Sequence, residues 1–210
     1  EISTFVQEKA PIDIDSARVF AKKKFSSAVL DFSPDEKEVL FFVVNKTNKW
    51  LLDNEINLMA NQPWRFIKID NWLCGGFAHT RGSFIIISQA YLDRLTVDWN
   101  AVMSKEKESR LVTSLGGLLV HEQMHSLQRT FKSKFDRLYS KNWNFIKHQV
   151  KAENEIIIDQ VSNPDAPIAE WIIPDPKDKK KFYWIRTLIT KNVDIPIMGR
   201  DFVDIAFEIN

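Results

Sequence analysis

Hydrophobic residues in the first two thirds of the chain follow a strand-like pattern and then a helical one. Phe66–Ile69 and Phe84–Ser88 are short, mostly apolar runs bounded by glycine-containing turns, and this arrangement predicts two adjacent strands. From about Ser104 the apolar residues recur every three or four positions, at Leu111, Val112, Leu115, Leu118 and Leu119. That spacing predicts a long helix that buries one face.

Further helices are predicted on either side of these elements. Ser33 is a good helix cap because it precedes Pro34 and two acidic residues, and the helix that follows should reach about Asn45. One more helix is expected near Ser16–Phe25. Apolar spacing between positions 143 and 161 predicts a helix that ends before Pro164, because proline disfavours helical geometry in the residue that precedes it.

The whole pattern indicates an α+β fold. After Pro164 the segments near Trp171–Ile173, Phe182–Ile189 and Phe202–Ile209 are expected to be extended, with an exposed charged loop between the first two. We therefore expect a small mixed sheet, a long helix and a returning helix in a single domain of residues 1–210. Within that domain, 1–103 would carry the sheet, 104–163 the two long helices and 164–210 the extended segments.

Gly116 and Gly117 lie inside the predicted long helix. Each glycine in a helix interior lowers stability by about 1 kcal/mol relative to alanine. Two explanations are open: another backbone packs closely against the helix at this point, or the two glycines are tolerated weak points.

The composition argues against two classes of partner. The chain carries 29 Lys and Arg against 28 Asp and Glu, and the resulting net charge of +1 offers no attraction for nucleic acid or for an anionic membrane. No apolar run approaches the roughly 18 residues that are needed to cross a bilayer. We therefore expect neither nucleic-acid binding nor membrane insertion.

The first residue of the chain bears on the compartment, and the cysteine content does not. Cys74 is the single cysteine, which excludes an intrachain disulfide and favours a buried thiol. The chain begins at Glu1 rather than methionine, as it would after removal of an export signal or after truncation. An extracellular or periplasmic location after signal removal is thus a hypothesis. A single cysteine gives no information on the compartment.

The motif that carries chemistry is His121-Glu122-Gln123-Met124-His125, in the predicted long helix. Two histidines four positions apart lie about 40° from each other around a helix axis, so both imidazoles can reach one metal ion. Glu122 points slightly aside, where its carboxylate can take a proton from metal-bound water without itself binding the metal. The motif predicts one catalytic zinc ion bound by His121 and His125, with Glu122 as general base.

A catalytic zinc ion usually has three protein ligands, so a third donor is required. If the two predicted helices form an antiparallel hairpin with a turn near Ser140–Asn142, a rise of about 1.5 Å per residue returns position 155 to the level of 125 and position 159 to that of 121. Both positions are acidic. Glu155 is the predicted third ligand, and Asp159 is expected to accept the outward ring proton of His121. Glu153 is the competitor, but periodicity directs it to another side of the helix.

The same residues carry a family resemblance. The motif from His121 to His125, followed by Asn154-Glu155 and Asp159, resembles the pattern of gluzincins, the thermolysin-like zinc metallopeptidases. The resemblance covers roughly positions 115 to 160. It implies a zincin-like fold, zinc bound by both histidines and Glu155, and a peptide or protein substrate extended along the edge strand of a sheet that precedes the motif helix. Phe84–Ser88 is expected to be that strand.

A hydrogen-bond donor to the developing oxyanion is also needed. Zinc peptidases often use a tyrosine or a histidine beyond the third ligand, which favours Tyr183, with Arg186 and His148 as rivals. His79 either lies near the cleft or is a turn histidine bonded to backbone, and the second interpretation is favoured.

The predicted function is hydrolysis of peptide bonds by a zinc-bound water that Glu122 activates. Two alternatives stay open. One is a zinc-stabilised binding domain without catalytic activity, and the other is a zinc hydrolase that acts on a non-peptide amide or ester. Metal-dependent peptide cleavage that disappears in Glu122→Gln would exclude the first, and competition between peptide and non-peptide substrates would test the second.

Overall fold

A computed structural model describes residues 5–6, 8–100, 105–148, 160–161, 170–189 and 200–209. Its architecture is α+β, as expected. The chain divides into two compact units, an N-terminal unit of Phe5–Thr130 and a C-terminal unit that begins at Phe131. The boundary lies inside the segment 104–163, to which the two predicted long helices were assigned.

The described residues of the N-terminal unit form α-helices, a short 3-10 helix at Leu73–Gly76 and four strands. The α-helices include α1 (Ile14–Ser27), α2 (Pro34–Asp53), α3 (Asn57–Ala60), α4 (Gln89–Asn100) and α5 (Lys105–Thr130). The strands are β1 (Val29–Leu30), β2 (Phe66–Ile69), β3 (His79–Arg81) and β4 (Phe84–Ser88). No helix in the described part of the chain is long and apolar enough to span a membrane.

The four strands form one mixed sheet in the order β1-β2-β4-β3. β2 and β4 are parallel neighbours, with Phe66 opposite Ile85, so the predicted adjacent strands and mixed sheet are confirmed. The prediction that Phe84–Ser88 is the edge strand is wrong, because β3 pairs antiparallel with the other side of β4. Gly82 has a φ of 60° and turns the chain between the two strands, which places β3 at the edge.

Helix α2 begins as the sequence predicts and ends later. The Ser33 side chain accepts a hydrogen bond from the Glu36 amide, while the Glu36 side chain caps the Ser33 amide, and Pro34 occupies the first turn. The helix continues to Asp53 rather than Asn45. The residues at four-position intervals, Val39, Val43, Thr47 and Leu51, stay buried across the polar stretch where the helix was expected to end.

The main core lies between the sheet and helices α2, α4 and α5. Leu111, Leu115 and Leu119 of α5 pack there with Ile85 and Ile87 of β4, which confirms the predicted buried face of the long helix. Cys74 is also buried, as expected.

The two glycines of α5 have different surroundings. A Cβ atom on Gly116 would lie 2.8 Å from Oγ1 of Thr47 in α2, whereas a Cβ on Gly117 would meet nothing within 4 Å. Close packing therefore explains Gly116, although a side chain rather than a backbone makes the approach. Gly117 is a tolerated weak point.

Alanine substitution should separate these two cases. Gly117→Ala is expected to raise stability by about 1 kcal/mol, because alanine is the better helix former and its methyl group has room. Gly116→Ala is expected to lower stability, since overpacking costs about 1–3 kcal/mol. Thermal unfolding followed by circular dichroism would measure both. Adding Thr47→Ala should relieve the Gly116→Ala defect, and shifts of equal sign in the two single variants would contradict this assignment.

The C-terminal unit consists of one helix and a five-stranded antiparallel sheet among its described residues. The helix is α6 (Lys132–Lys141), and the strands are β5 (Ile146–Lys147), β6 (Gln160–Val161), β7 (Trp171–Pro174), β8 (Phe182–Ile189) and β9 (Phe202–Ile209). The strand order is β5-β7-β8-β6, and β9 also pairs with β8. The three predicted extended segments are confirmed as β7, β8 and β9.

The prediction of a helix between 143 and 161 is wrong at both ends that the structure describes, where β5 and β6 lie instead. Asn144 has a φ of 57° and turns the chain after α6, and β5 and β6 then pair with β7 and β8. Periodicity over so few residues does not distinguish a strand from a helix, and here strand pairing decides the conformation. The motif helix also ends at Thr130 rather than near Ser140, because Phe131 departs from helical geometry, with φ −113° and ψ 40°.

Candidate metal centre

His121 and His125 lie together near the carboxyl end of α5. Their Nε2 atoms are 3.2 Å apart, and their rings are inclined by 85°. Two nitrogen ligands of tetrahedral zinc, each about 2.0–2.1 Å from the ion, are about 3.3 Å apart. The same separation fits a hydrogen bond between two imidazoles. His121 is exposed and His125 is half-buried, so the pair can be reached from solvent.

The orientation of His125 is set by a residue that the sequence analysis missed. Nδ1 of His125 lies 3.0 Å from Oε1 of Gln128, an oxygen that only accepts, so Nδ1 carries the proton. Nε2 of His125 then presents its lone pair toward His121. Metal-binding histidines are commonly oriented in this way by a second hydrogen bond. The sequence could have indicated this contact, because Gln128 follows His125 by three positions on a predicted helix and residues at that spacing are neighbours on the helix surface.

Glu122 is buried, with 2% of its surface exposed. The hydroxyl of Thr80 on β3 lies 2.7 Å from its Oε2 and 2.9 Å from its backbone oxygen. A buried carboxylate is costly unless it accepts hydrogen bonds, and Thr80 supplies one. No local pattern could have indicated this contact, since 42 positions separate the two residues.

The motif helix is held in place on the face opposite to solvent. Gln123 is fully buried, and its side-chain amide donates to the backbone oxygen of Gln62 at 3.3 Å. Ser126 and Leu127 are buried beside it. The two histidines and Glu122 therefore project from a helix whose rotation is set by packing, which keeps their relative positions constant.

The proposed third ligand lies outside the described residues. Glu155, Asp159 and the competitor Glu153 all fall in the segment 149–159, of which the structure gives no description. Within the described ranges, no group of three or more His, Cys, Asp or Glu side chains is placed to hold a metal ion. The ligand role of Glu155 and the supporting role of Asp159 stay predictions.

The nominated oxyanion donors belong to the C-terminal unit. Tyr183 of β8 donates its hydroxyl to Oδ2 of Asp175 at 3.1 Å, and burial, followed by that hydrogen bond, raises the pKa of Tyr183. Arg186 lies over the ring of Trp184, at 4.9 Å from its centre. His148 follows β5, where its amide donates to the backbone of Glu170. A role of any of them in the reaction stays a prediction.

His79 has the environment that its favoured interpretation requires. It is buried at the start of β3, and its Nδ1 lies 3.0 Å from the backbone oxygen of Phe77. Because that oxygen only accepts, Nδ1 donates. His79 is thus a backbone-bonded histidine.

Comparisons with protein-family models, with curated proteins and with solved structures find no match to this chain. The resemblance to gluzincins therefore depends on the motif residues alone. Of those residues, the five from His121 to His125 lie in the described part of the chain. Their geometry is the basis for the function proposed below.

Proposed function

We propose that this protein is a zinc-dependent metallopeptidase with a zincin-like site. The observation that carries the proposal is the pair of imidazole nitrogens 3.2 Å apart on the same helix turn as a buried, hydrogen-bonded glutamate. Two nitrogen donors and an adjacent carboxylate on one helix would supply two of the ligands and the general base of a metal-assisted hydrolysis.

The separation of the two imidazole nitrogens fits two ligand positions of a tetrahedral zinc ion. His121 and His125 would bind it through Nε2, with Gln128 holding the proton of His125 on Nδ1. Glu155 would complete three protein ligands, and Asp159 would support His121. When bound, zinc polarises a substrate carbonyl and lowers the pKa of water toward neutrality.

Glu122 would act as the general base. Its carboxylate would take a proton from the attacking water and deliver it to the departing amine. Both the water and the amine must therefore lie within hydrogen-bonding distance of the carboxylate. His121 directly precedes Glu122 and His125 follows it by three positions, so the base and the proposed ligands share about one helix turn. Tyr183 is the proposed donor to the developing oxyanion.

The proposed substrate is an extended peptide or protein segment. β3 lies at the end of the described sheet order, and Thr80 of that strand contacts Glu122. An extended segment that paired with the side of β3 opposite to β4 would pass beside the base by the mode of β-strand addition. This mode of binding favours a peptide substrate over small amides or esters, because those molecules have no backbone that can pair with a strand.

Metal analysis combined with a peptide-library cleavage assay tests the proposal. We expect about one zinc per chain and peptide hydrolysis that a chelator abolishes and added zinc restores. Bound zinc without any hydrolysis would favour a zinc-stabilised binding domain instead. If esters or non-peptide amides are hydrolysed in preference to peptides when both are present, the proposed substrate class is wrong. Absence of zinc binding would overturn the proposal as a whole.

A further inference from the structure

Thr80 connects the edge strand β3 to the carboxylate of Glu122. The Thr80 side chain is fully buried, and its Oγ1 lies 2.7 Å from Oε2 of Glu122 and 2.9 Å from the backbone oxygen of the same residue. A hydroxyl has one proton, and an ionised carboxylate is a stronger acceptor than a backbone carbonyl. The shorter contact is therefore the hydrogen bond that Thr80 donates to the side chain.

This hydrogen bond restricts the orientation of the carboxylate. The terminal torsion of a glutamate side chain is broad, so the plane of an unheld carboxylate can rotate. A donor on one oxygen fixes that plane. Proton transfer depends on the distance and direction between base and water, so an oriented carboxylate transfers a proton more often than a rotating one.

The donor is itself placed on a rigid element. Thr80 is opposite Ile85 in the antiparallel pair of β3 and β4, and both residues are fully buried. Sites supported by paired strands are held more accurately than sites on loops. The threonine side chain is also branched at Cβ, which restricts its χ1 and thereby the direction of its hydroxyl.

We infer that Thr80 is a positioning residue for general-base catalysis, which holds the carboxylate of Glu122 in the orientation that proton transfer needs. The inference rests on the proposed function, and it adds to the site a residue that lies outside the five-residue motif. The side chain of Thr80 acts through Glu122 and is assigned no contact with metal or substrate.

The test compares three variants of the full chain. Thr80→Val removes the hydroxyl and keeps the branched shape, Thr80→Ser keeps the hydroxyl, and Thr47→Val is the matched control. Thr47 also packs against the motif helix, it is buried, and in the described part of the chain its Oγ1 has no hydrogen-bond partner. For each variant, kcat and KM for a cleaved peptide, zinc content and thermal midpoint would be measured.

We expect Thr80→Val to lower kcat by about 10- to 100-fold, the range for loss of a hydrogen bond to a charged group, with KM and zinc content unchanged. Thr80→Ser should recover most of kcat, and Thr47→Val should leave it unchanged. An unchanged kcat in folded Thr80→Val overturns the inference while the proposed function stands. If Thr80→Ser loses as much kcat as Thr80→Val, or if the loss of kcat parallels a loss of bound zinc, Thr80 has a structural role and the inference is also overturned. A wild-type chain without hydrolysis overturns both.

Discussion

Glu122→Gln is expected to retain bound zinc and to lower turnover by about 100-fold or more, the scale of a lost general base. The amide that replaces the carboxylate is neutral and cannot accept the proton of the attacking water, but it has nearly the same size. Its oxygen can still accept the hydrogen bond from Thr80, so the buried position should remain filled and bonded. Zinc content and kcat for a peptide substrate would be measured on the same preparation.

Glu106→Gln is a suitable control for this variant. Glu106 lies in the first turn of the same helix, with 73% of its side chain exposed beside Arg110, and its loss should leave turnover and zinc content unchanged. Hydrolysis at the wild-type rate in Glu122→Gln would exclude the proposed role of Glu122. A parallel loss of zinc would show instead that Glu122 supports the metal site.

Glu155→Ala is expected to weaken zinc binding by more than about 100-fold. Loss of an outer hydrogen-bond partner of a metal ligand typically costs 10- to 100-fold in affinity, and loss of a direct ligand should exceed that. Asp159→Ala, which would remove only the support of His121, is expected to fall within the smaller range. Zinc affinity would be measured by competition with a chromophoric chelator.

Glu153→Ala is the matched control for the third ligand. It removes a side chain of the same kind two positions before Glu155. Zinc affinity is expected to remain at the wild-type value. The opposite result, with zinc lost in Glu153→Ala and kept in Glu155→Ala, would transfer the ligand role to Glu153. This comparison needs no substrate, so it tests the metal site separately from the hydrolytic activity.

Elements with local causes were predictable from the sequence. The start of α2 was evident because the Ser33 cap, Pro34 and Glu36 interact within one turn. The long helix and its buried face followed from the spacing of Leu111, Leu115 and Leu119. The proximity of the two histidines is also a property of one helix turn, and for that reason the pair could be proposed as metal ligands before any tertiary contact was known.

Elements that depend on strand pairing were predicted less well. The segments Ile146–Lys147 and Gln160–Val161 were assigned to a helix, whereas each pairs with a strand many positions away. Their pattern is too short to separate the two conformations. The edge position of β3 was likewise missed, because strand order follows from which neighbours pair and not from the composition of a single strand.

The amino-acid sequence was sufficient for the α+β class, the long helix and the nitrogen pair of the candidate metal centre, because interactions within a few residues of each other produce these features. The tertiary structure decided which strand lies at the end of the described sheet order, why Gly116 must lack a side chain, and which residue bonds to the carboxylate of Glu122. Thr80 and Glu122 meet across 42 positions. Contacts of that kind arise from how the sheet packs against the helix, and no periodicity along the chain encodes them.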